Sequence, residues 1–121
     1  MKVSVGRMTI EELHRFPDDG NRYELIDGEL YASPTPWMKH AQVSSDLLFS
    51  LSPFAKKQKL GRVCHARFDV FLDPGSQTCV EPDLMFIAQN RLHIIRDDGV
   101  HGPPDLVVEI VSESTFKTDM F

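Results

Sequence analysis

Two short apolar runs in the second half of the chain carry its clearest strand pattern. They cover residues 80–87 and 104–112, and each has a Pro-Asp step near its start. Because both runs are rich in β-branched and large apolar side chains, they predict two strands. Side chains alternate between the faces of a strand, so Glu81 and Asp83 are expected to share one face of the first strand. Glu109 is expected in the middle of the second strand, where a carboxylate is costly to bury without a binding partner.

Capping and turn signals predict the elements at the start of the chain. Thr9 and Glu12 have the spacing of a capping box, in which two side chains satisfy backbone N–H groups at the start of a helix. Residues 23–31 then contain two strand-like runs joined by Asp27-Gly28, a pair that favours a tight hairpin turn. We therefore expect a short helix followed by a β-hairpin.

Helical spacing replaces strand alternation in the middle of the chain. Apolar side chains recur at helical positions from about Trp37 to Lys59, which predicts one long helix. Three of its side chains, Trp37, Leu48 and Leu51, are expected to pack on the sheet. Pro53 lies within this pattern, and it is expected to kink or restart the helix because it lacks a backbone N–H.

A second alternating run covers residues 62–72, and a turn over residues 73–77 joins it to the first apolar run. A hairpin with this turn sets a register. The pairs that the register implies are Leu72 with Thr78, Asp69 with Glu81, and Arg67 with Asp83. In the same register Cys64 lies far from Cys79, which excludes a disulfide between them.

Composition and charge favour one compact domain over residues 1–121. Apolar residues make up 41% of the chain, which is sufficient for a core. The net charge of −5 argues against broad, sequence-blind binding to nucleic acid or to an anionic membrane. No apolar run approaches the ~18 residues needed to cross a membrane, and no signal peptide is visible. A cytoplasmic protein with free cysteines is therefore expected.

The predicted strand faces gather several carboxylates. They are Asp69, Glu81, Asp83 and Glu109, with Arg67 nearby. Converging carboxylates repel one another, and a hard divalent cation such as Mg²⁺ relieves that repulsion. The same alternation is also typical of the solvated face of an antiparallel sheet. Val107 and Val111 flank Glu109 on its expected face, which argues against simple solvation of that carboxylate.

Histidine spacing offers no zinc site. His65, His93 and His101 have neither ligand spacing nor cysteine partners along the chain. His40 lies near the start of the predicted long helix, where a lone histidine is typical of a packed or surface position.

Short segments in a fixed order resemble the Uma-type family of restriction endonucleases, within the PD-(D/E)xK nuclease superfamily. Each segment is weak alone, but their order and spacing are specific. The segments are residues 23–30, Ser33-Pro34 followed by His40, Phe68-Asp69-Val70, Glu81-Pro82-Asp83-Leu84, residues 102–112, and Ser114-Thr115.

This resemblance implies an α/β fold with a restriction-endonuclease-like core, in which a long helix packs on one face of a mixed or antiparallel sheet. It implies an endonuclease, a hydrolase of DNA, in which Asp83 and Glu109 hold Mg²⁺ or Mn²⁺. Glu24 matches a family acidic position that would assist them or bind a second metal. Asp105 matches a second Pro-Asp, but it lies ~13 Å from Glu109 along one strand, so Asp83 is preferred. The further candidates are Asp69, Glu81, Arg67 and His40.

The chain departs from the superfamily at its lysine. Val111 stands at the position two residues after Glu109, and the family's other lysine would follow Asp119, beyond the residues given. We expect residues 1–121 to lack the C-terminal part of the family fold and to cleave DNA poorly or not at all. Exposure of the apolar back of the sheet is expected to weaken the fold or to favour a homodimer. The alternatives are an inactive remnant or a binding module of the same fold, and a small interaction protein whose acidic residues are only surface groups.

Overall fold

The computed structural model describes residues 1–3, 5–34, 38–65 and 67–111, and within these ranges it contains ten strands, two α-helices and two 3₁₀ helices. The α-helices are α1 (Ile10–Leu13) and α2 (Met38–Lys57), and the 3₁₀ helices cover Pro74–Ser76 and Gln89–Ile94. The strands are β1 (Lys2–Val3), β2 (Arg22–Ile26), β3 (Glu29–Ser33), β4 (Gly61–His65), β5 (Val70–Asp73), β6 (Thr78–Val80), β7 (Leu84–Ala88), β8 (Ile95–Arg96), β9 (Gly99–His101) and β10 (Leu106–Val108).

The strands form two sheets. The larger sheet has the order β1-β3-β2-β6-β5-β9-β8, and its neighbours are antiparallel except β5 and β9, which are parallel. The smaller sheet has the antiparallel order β10-β7-β4. The main helix, α2, packs against β4 of the smaller sheet. This arrangement is the mixed α/β fold that the sequence predicts.

Two apolar clusters lie on opposite faces of the larger sheet. Adjacent residues of β5 reveal this, because Val70 belongs to one cluster and Phe71 to the other. The first cluster joins the two sheets, and its buried members are Cys64, Val70, Met85, Ile87, Ile94 and Val100. The second lies against α1, and its buried members are Leu13, Leu25, Leu30, Phe71 and Cys79. The smaller sheet and α1 therefore cover opposite faces of the larger sheet.

The capping box and the tight turn predicted at the start of the chain are both present. The Thr9 hydroxyl accepts a hydrogen bond from the Glu12 N–H at 3.1 Å, and the Glu12 carboxylate accepts one from the Thr9 N–H at 3.2 Å. This is a complete capping box for α1. Asp27 and Gly28 both have positive φ, at 52° and 77°, which is the conformation of the tight turn that joins β2 to β3.

The predicted burial of α2 is wrong at one position. Leu48 is half-buried, whereas Leu51 is 37% exposed, and the buried residue of the described helix is Ala55. Since the helix packs on β4, at the edge of the smaller sheet, only a narrow stripe of its surface is covered. The helix continues through Pro53, and Trp37 lies outside the described residues. Within the described part of the chain, no helix is long and apolar enough to cross a membrane.

The three long runs predicted as strands are divided or shortened in the structure. The predicted strand over residues 80–87 ends at Val80 and resumes at Leu84 in the other sheet. Pro82 lies in the gap, where its missing N–H cannot contribute to a ladder. The run over residues 62–72 likewise divides into β4 and β5, which belong to different sheets, and the predicted strand over residues 104–112 is reduced to β10.

The predicted hairpin register is confirmed where a ladder exists. Val70 pairs with Val80 and Phe71 with Cys79, as the predicted register requires. A bulge then shifts the pairing, so that Thr78 faces Asp73 rather than Leu72. Cys64 and Cys79 are both buried free thiols in different clusters, which agrees with the predicted absence of a disulfide.

Candidate active site

Strand alternation in β2 directs a cation and a carboxylate to the same side of the larger sheet. Arg22, Glu24 and Ile26 line a cavity on the face away from α1. Leu25, between them, is fully buried in the cluster beside α1. The strand therefore presents Arg22 and Glu24 together, two residues apart, to the space beside the smaller sheet.

Asp83 is a buried carboxylate at the point where the chain passes from the larger sheet to the smaller one. Its residue exposure is 4%. Its Oδ2 atom accepts a 2.7 Å hydrogen bond from the backbone N–H of Ile110. The Nε2 atom of His40, in the first turn of α2, lies 3.3 Å from the same oxygen. Three separate parts of the chain therefore meet at this carboxylate.

Glu109 is held next to Asp83 by the register of the smaller sheet. Val108 pairs with Leu84 at the end of the antiparallel β7–β10 ladder, so the next residues of the two chains, Glu109 and Asp83, stand opposite each other. The two residues are neighbours, as the sequence predicts, but Glu109 follows β10 instead of lying in the middle of a strand, and Asp83 precedes β7. Val107, however, is 47% exposed, so the expected burial of this face is wrong.

The guanidinium of Arg22 lies among three carboxylates. Its Nη1 atom is 3.5 Å from Asp83 Oδ1 and 3.8 Å from Glu109 Oε2. Its Nε atom is 3.6 Å from Glu24 Oε1, and among the described residues this buried nitrogen has no hydrogen-bond partner. A single nitrogen thus has both Asp83 and Glu109 within ion-pair range, so the two carboxylates are close enough to face one cation.

Glu24 and Arg22 also fix the backbone that carries Asp83. Glu24 Oε2 accepts a 2.7 Å hydrogen bond from the N–H of Glu81, and Arg22 Nη1 donates a 3.2 Å hydrogen bond to the carbonyl oxygen of Glu81. Because the crossing segment has no ladder of its own, these side chains satisfy backbone groups that a strand neighbour would otherwise satisfy.

The group opens onto a cavity of about 460 Å³ between the two sheets. Its lining combines the acidic group with apolar side chains. The lining residues are Met1, Arg22, Glu24, Ile26, Tyr31, Ser33, Leu72, Val80, Pro82, Pro104, Val107 and Glu109. A ligand that enters from solvent would meet Glu24, Arg22 and Glu109 directly.

Three of the predicted site residues lie elsewhere. Asp69, Glu81 and Arg67 line a separate pocket beside α1. The expectation that Glu81 and Asp83 share one face is wrong, because the chain between β6 and β7 is not a strand and does not alternate. Arg67 does not face Asp83 either, since its Nη2 atom donates a 2.9 Å hydrogen bond to the carbonyl oxygen of Gly20.

Burial and crowded acids shift two pKa values beside this second pocket. Burial, and then the neighbouring carboxylate of Asp69, raise the pKa of Glu81 to about 7. Burial, with Asp69 and Glu81 next in importance, raises the pKa of the Cys79 thiol to about 12. In the absence of a cation, the folded state therefore disfavours negative charge at both groups.

Asp105 makes contacts that stabilise the fold and does not face the candidate site. Its Oδ2 atom accepts a 2.7 Å hydrogen bond from the N–H of Ala88 and lies 3.0 Å from Arg91 Nη1. The Ala88 N–H is the main cause that lowers the pKa of Asp105, and Arg91 adds to it. Asp105 is thus turned towards the end of β7, whereas Asp83 and Glu109 face Arg22.

Arg22 is the residue that sequence reasoning missed. It lies one residue before the predicted hairpin over residues 23–31, and only the longer observed strand, Arg22–Ile26, places it beside Glu24 by alternation. The two-residue spacing of Arg22 and Glu24 is visible in the sequence. The proximity of Arg22 to Asp83 and Glu109, in contrast, depends on the crossing between the two sheets.

The donor set fits a hard divalent cation. Three carboxylates face one guanidinium, which leaves an excess of negative charge that Arg22 does not neutralise. The guanidinium contacts, at 3.5–3.8 Å, are longer than the 2.7–2.9 Å of tight charge-assisted hydrogen bonds. Oxygen donors of this kind suit Mg²⁺ or Mn²⁺.

Comparisons with known proteins point to one family and one fold. The family model described as "Uma2: Putative restriction endonuclease" matches residues 10–120. The chain is also similar to a solved structure from Anabaena variabilis described as "a putative nuclease belonging to DUF820", with 20% identity and a TM-score of 0.72. The match covers 93% of this chain and 63% of that one, and at this identity the likeness concerns the fold. No curated protein shows significant sequence similarity to the chain.

Proposed function

Because the chain belongs to the Uma2 family, we propose that it is a metal-dependent nuclease that hydrolyses phosphodiester bonds in DNA. Asp83 and Glu109 would hold Mg²⁺ or Mn²⁺, and Glu24 would assist them. The observation that carries the proposal is the convergence of these three carboxylates on Arg22 at the mouth of a cavity. When bound there, the cation supplies a Lewis acid that neutralises phosphate charge and activates water.

Arg22 is the fixed positive charge of the proposed site. Since a guanidinium stays protonated, it can bind a phosphate oxygen and stabilise negative charge that develops on it. It is unsuited to remove a proton from water for the same reason. Val111, at the lysine position of the superfamily, supplies no charge, so Arg22 is the cation that we assign to this role.

His40 and Glu24 act on the position of Asp83 in this proposal. The imidazole of His40 lies beside Asp83 Oδ2, and the Ile110 N–H binds the same oxygen, which leaves Oδ1 directed at Arg22. Glu24 holds the N–H of Glu81, two residues before Asp83. Each residue therefore restricts the movement of the carboxylate that would bind the cation.

A catalytically inactive binding module is the second candidate, and two observations favour it. Arg22 stands among the carboxylates where a cation would otherwise neutralise them, and Val111 replaces the superfamily lysine. Such a module would retain the cavity and bind nucleic acid without cleaving it.

Calorimetry with Mg²⁺ and Mn²⁺ tests the proposal, together with cleavage of a supercoiled plasmid. We expect binding by the wild-type chain and a loss of at least about tenfold in affinity for Asp83→Asn and Glu109→Gln. Asp105→Asn is the matched control, because its amide oxygen can still accept the Ala88 N–H and it lies in the other Pro-Asp step. Metal binding by the wild type that Asp83→Asn leaves unchanged would overturn the site assignment, and absence of both metal binding and cleavage would favour the binding module.

A further inference from the structure

A second group of metal-type donors lies on the opposite face of the larger sheet. The donor atoms of His14, Asp69 and Cys79 all lie within 4.8 Å of one another. His14 follows α1, Asp69 precedes β5, and Cys79 lies in β6. Cys79 belongs to the cluster beside α1, whereas its neighbour Val80 lines the cavity of the candidate active site. The two groups are therefore separate.

Contacts within this group bring nitrogen, sulfur and oxygen atoms together. His14 Nε2 lies 3.2 Å from Asp69 Oδ2. The thiol of Cys79 is almost fully buried, at 1% exposure. The fold brings these donors together from three separate parts of the chain, so their spacing in the sequence does not predict a metal site.

Glu81 lies beside this group, with the Asp69 carboxyl as its side-chain hydrogen-bonding neighbour. It follows Cys79 by two residues, and it lines the same pocket as His14 and Asp69. Its Oε2 atom is buried, and a buried carboxylate oxygen is costly unless a cation or a proton binds it.

The chemistry of this donor set differs from that of the candidate active site. Imidazole, thiolate and carboxylate together are typical ligands of Zn²⁺, whereas Mg²⁺ prefers oxygen donors. A tetrahedral zinc ion with bonds of 2.0–2.3 Å holds its ligand atoms about 3.5 Å apart. The donor atoms therefore need to approach one another by little more than about 1 Å, a distance within the reach of side-chain rotation.

We propose that His14, Asp69 and Cys79 form a second metal site, selective for Zn²⁺. On binding, the S–H bond of Cys79 breaks, its proton passes to solvent, and a sulfur–zinc bond forms without any change of oxidation state. The neighbouring pocket, of about 200 Å³ and open to solvent, gives the ion a path of entry.

This ion would have a structural effect. It would tie the residue after α1 to the β5–β6 hairpin, two parts of the chain that are distant in sequence. Because only the folded chain assembles the ligands, zinc binding would stabilise the folded state. Without an ion, the same geometry is a 3.2 Å contact between His14 and Asp69 beside the buried thiol of Cys79. The experiment must therefore detect the metal–sulfur bond itself.

Titration of the whole chain with Co²⁺, a spectroscopic substitute for Zn²⁺, provides that detection. We expect one equivalent to give the near-ultraviolet sulfur-to-cobalt charge-transfer absorption, and Zn²⁺ to abolish it by competition. Cys79→Ser should lose the absorption. Cys64→Ser is the matched control, since Cys64 is the other buried free thiol and lies in the cluster between the sheets, and it should keep the absorption.

His14→Ala decides the result if Cys79→Ser fails to fold, because the His14 side chain is 47% exposed. We expect it to fold normally by circular dichroism and to bind Co²⁺ at least about tenfold more weakly. The double variant Asp83→Asn with Glu109→Gln should keep the charge-transfer absorption, which separates this site from the proposed nuclease site. Absence of the absorption in the wild type, or its full retention in His14→Ala, would overturn the proposal.

Discussion

The guanidinium of Arg22 lies 3.5 Å from the buried carboxylate of Asp83. A divalent cation bound to Asp83 would therefore lie close to this guanidinium. In the proposed function, Arg22 would compete with the metal for the carboxylates and would also supply positive charge to the phosphate. These two roles predict opposite effects when the charge is removed.

Arg22→Ala should strengthen Mg²⁺ binding and weaken cleavage. Loss of a positive charge beside three carboxylates favours the cation by about tenfold in affinity. Loss of a fixed charge at the phosphate should reduce the cleavage rate by about 100-fold. Calorimetry and plasmid cleavage measure the two effects. Arg15→Ala is the matched control, since Arg15 makes an exposed ion pair with Glu11, and a parallel fall of binding and cleavage in Arg22→Ala would contradict the assigned roles.

His40→Ala should weaken Mg²⁺ binding by about 10–100-fold, because it frees the Asp83 carboxylate from one of its two orienting partners. His40→Gln, whose amide can still donate to Asp83, should recover part of the affinity. His65→Ala removes an exposed histidine from β4 and should have no effect. If His40→Gln binds no better than His40→Ala, the imidazole does more than position Asp83.

Glu81→Gln should stabilise the fold at alkaline pH. The pKa of Glu81 is raised to about 7 from an ordinary value of 4.5, mainly by burial and by Asp69. Between these values the unfolded chain releases a proton that the folded chain keeps, so stability falls as pH rises and the loss is complete above the folded pKa. The variant cannot ionise and escapes this loss.

Urea unfolding at about pH 5 and about pH 8 measures this effect, and the stability of Glu81→Gln relative to the wild type should increase by about 2 kcal/mol between them. Glu11→Gln, an exposed change on α1, is the control. A stability difference that is independent of pH would show that Glu81 is ionised in the folded state at low pH. These measurements are made without divalent cations.

Ala55→Asp should destabilise the fold by about 3 kcal/mol or more, because it buries a charge where α2 meets the sheet. Leu51→Asp should cost only about 0.5 kcal/mol, since Leu51 is 37% exposed. Thermal unfolding of the two variants checks this order. A larger loss for Leu51→Asp would mean that α2 buries the stripe that its helical spacing first suggests.

Much of the local structure follows from the sequence. The capping box of Thr9 and Glu12 and the turn at Asp27-Gly28 are set by residues a few positions apart, so their chemistry is visible in the chain. The pairing of Val70 with Val80 follows from the length of one turn. The proximity of Asp83 and Glu109 follows from the pairing of two apolar runs, although Glu109 lies after its strand and not in the middle of it.

Other features were decided by the tertiary structure. Alternation predicts that Glu81 and Asp83 share a face, but the passage between two sheets turns Glu81 to the pocket beside α1 and Asp83 to Arg22. Arg22 meets Glu109, and His14 meets Cys79, only because separate elements pack together. The local sequence pattern predicts which way each side chain points within one continuous strand or helix, since backbone geometry repeats there. Where a strand breaks, the pattern no longer predicts this, because packing between elements that are distant in sequence sets the new orientation.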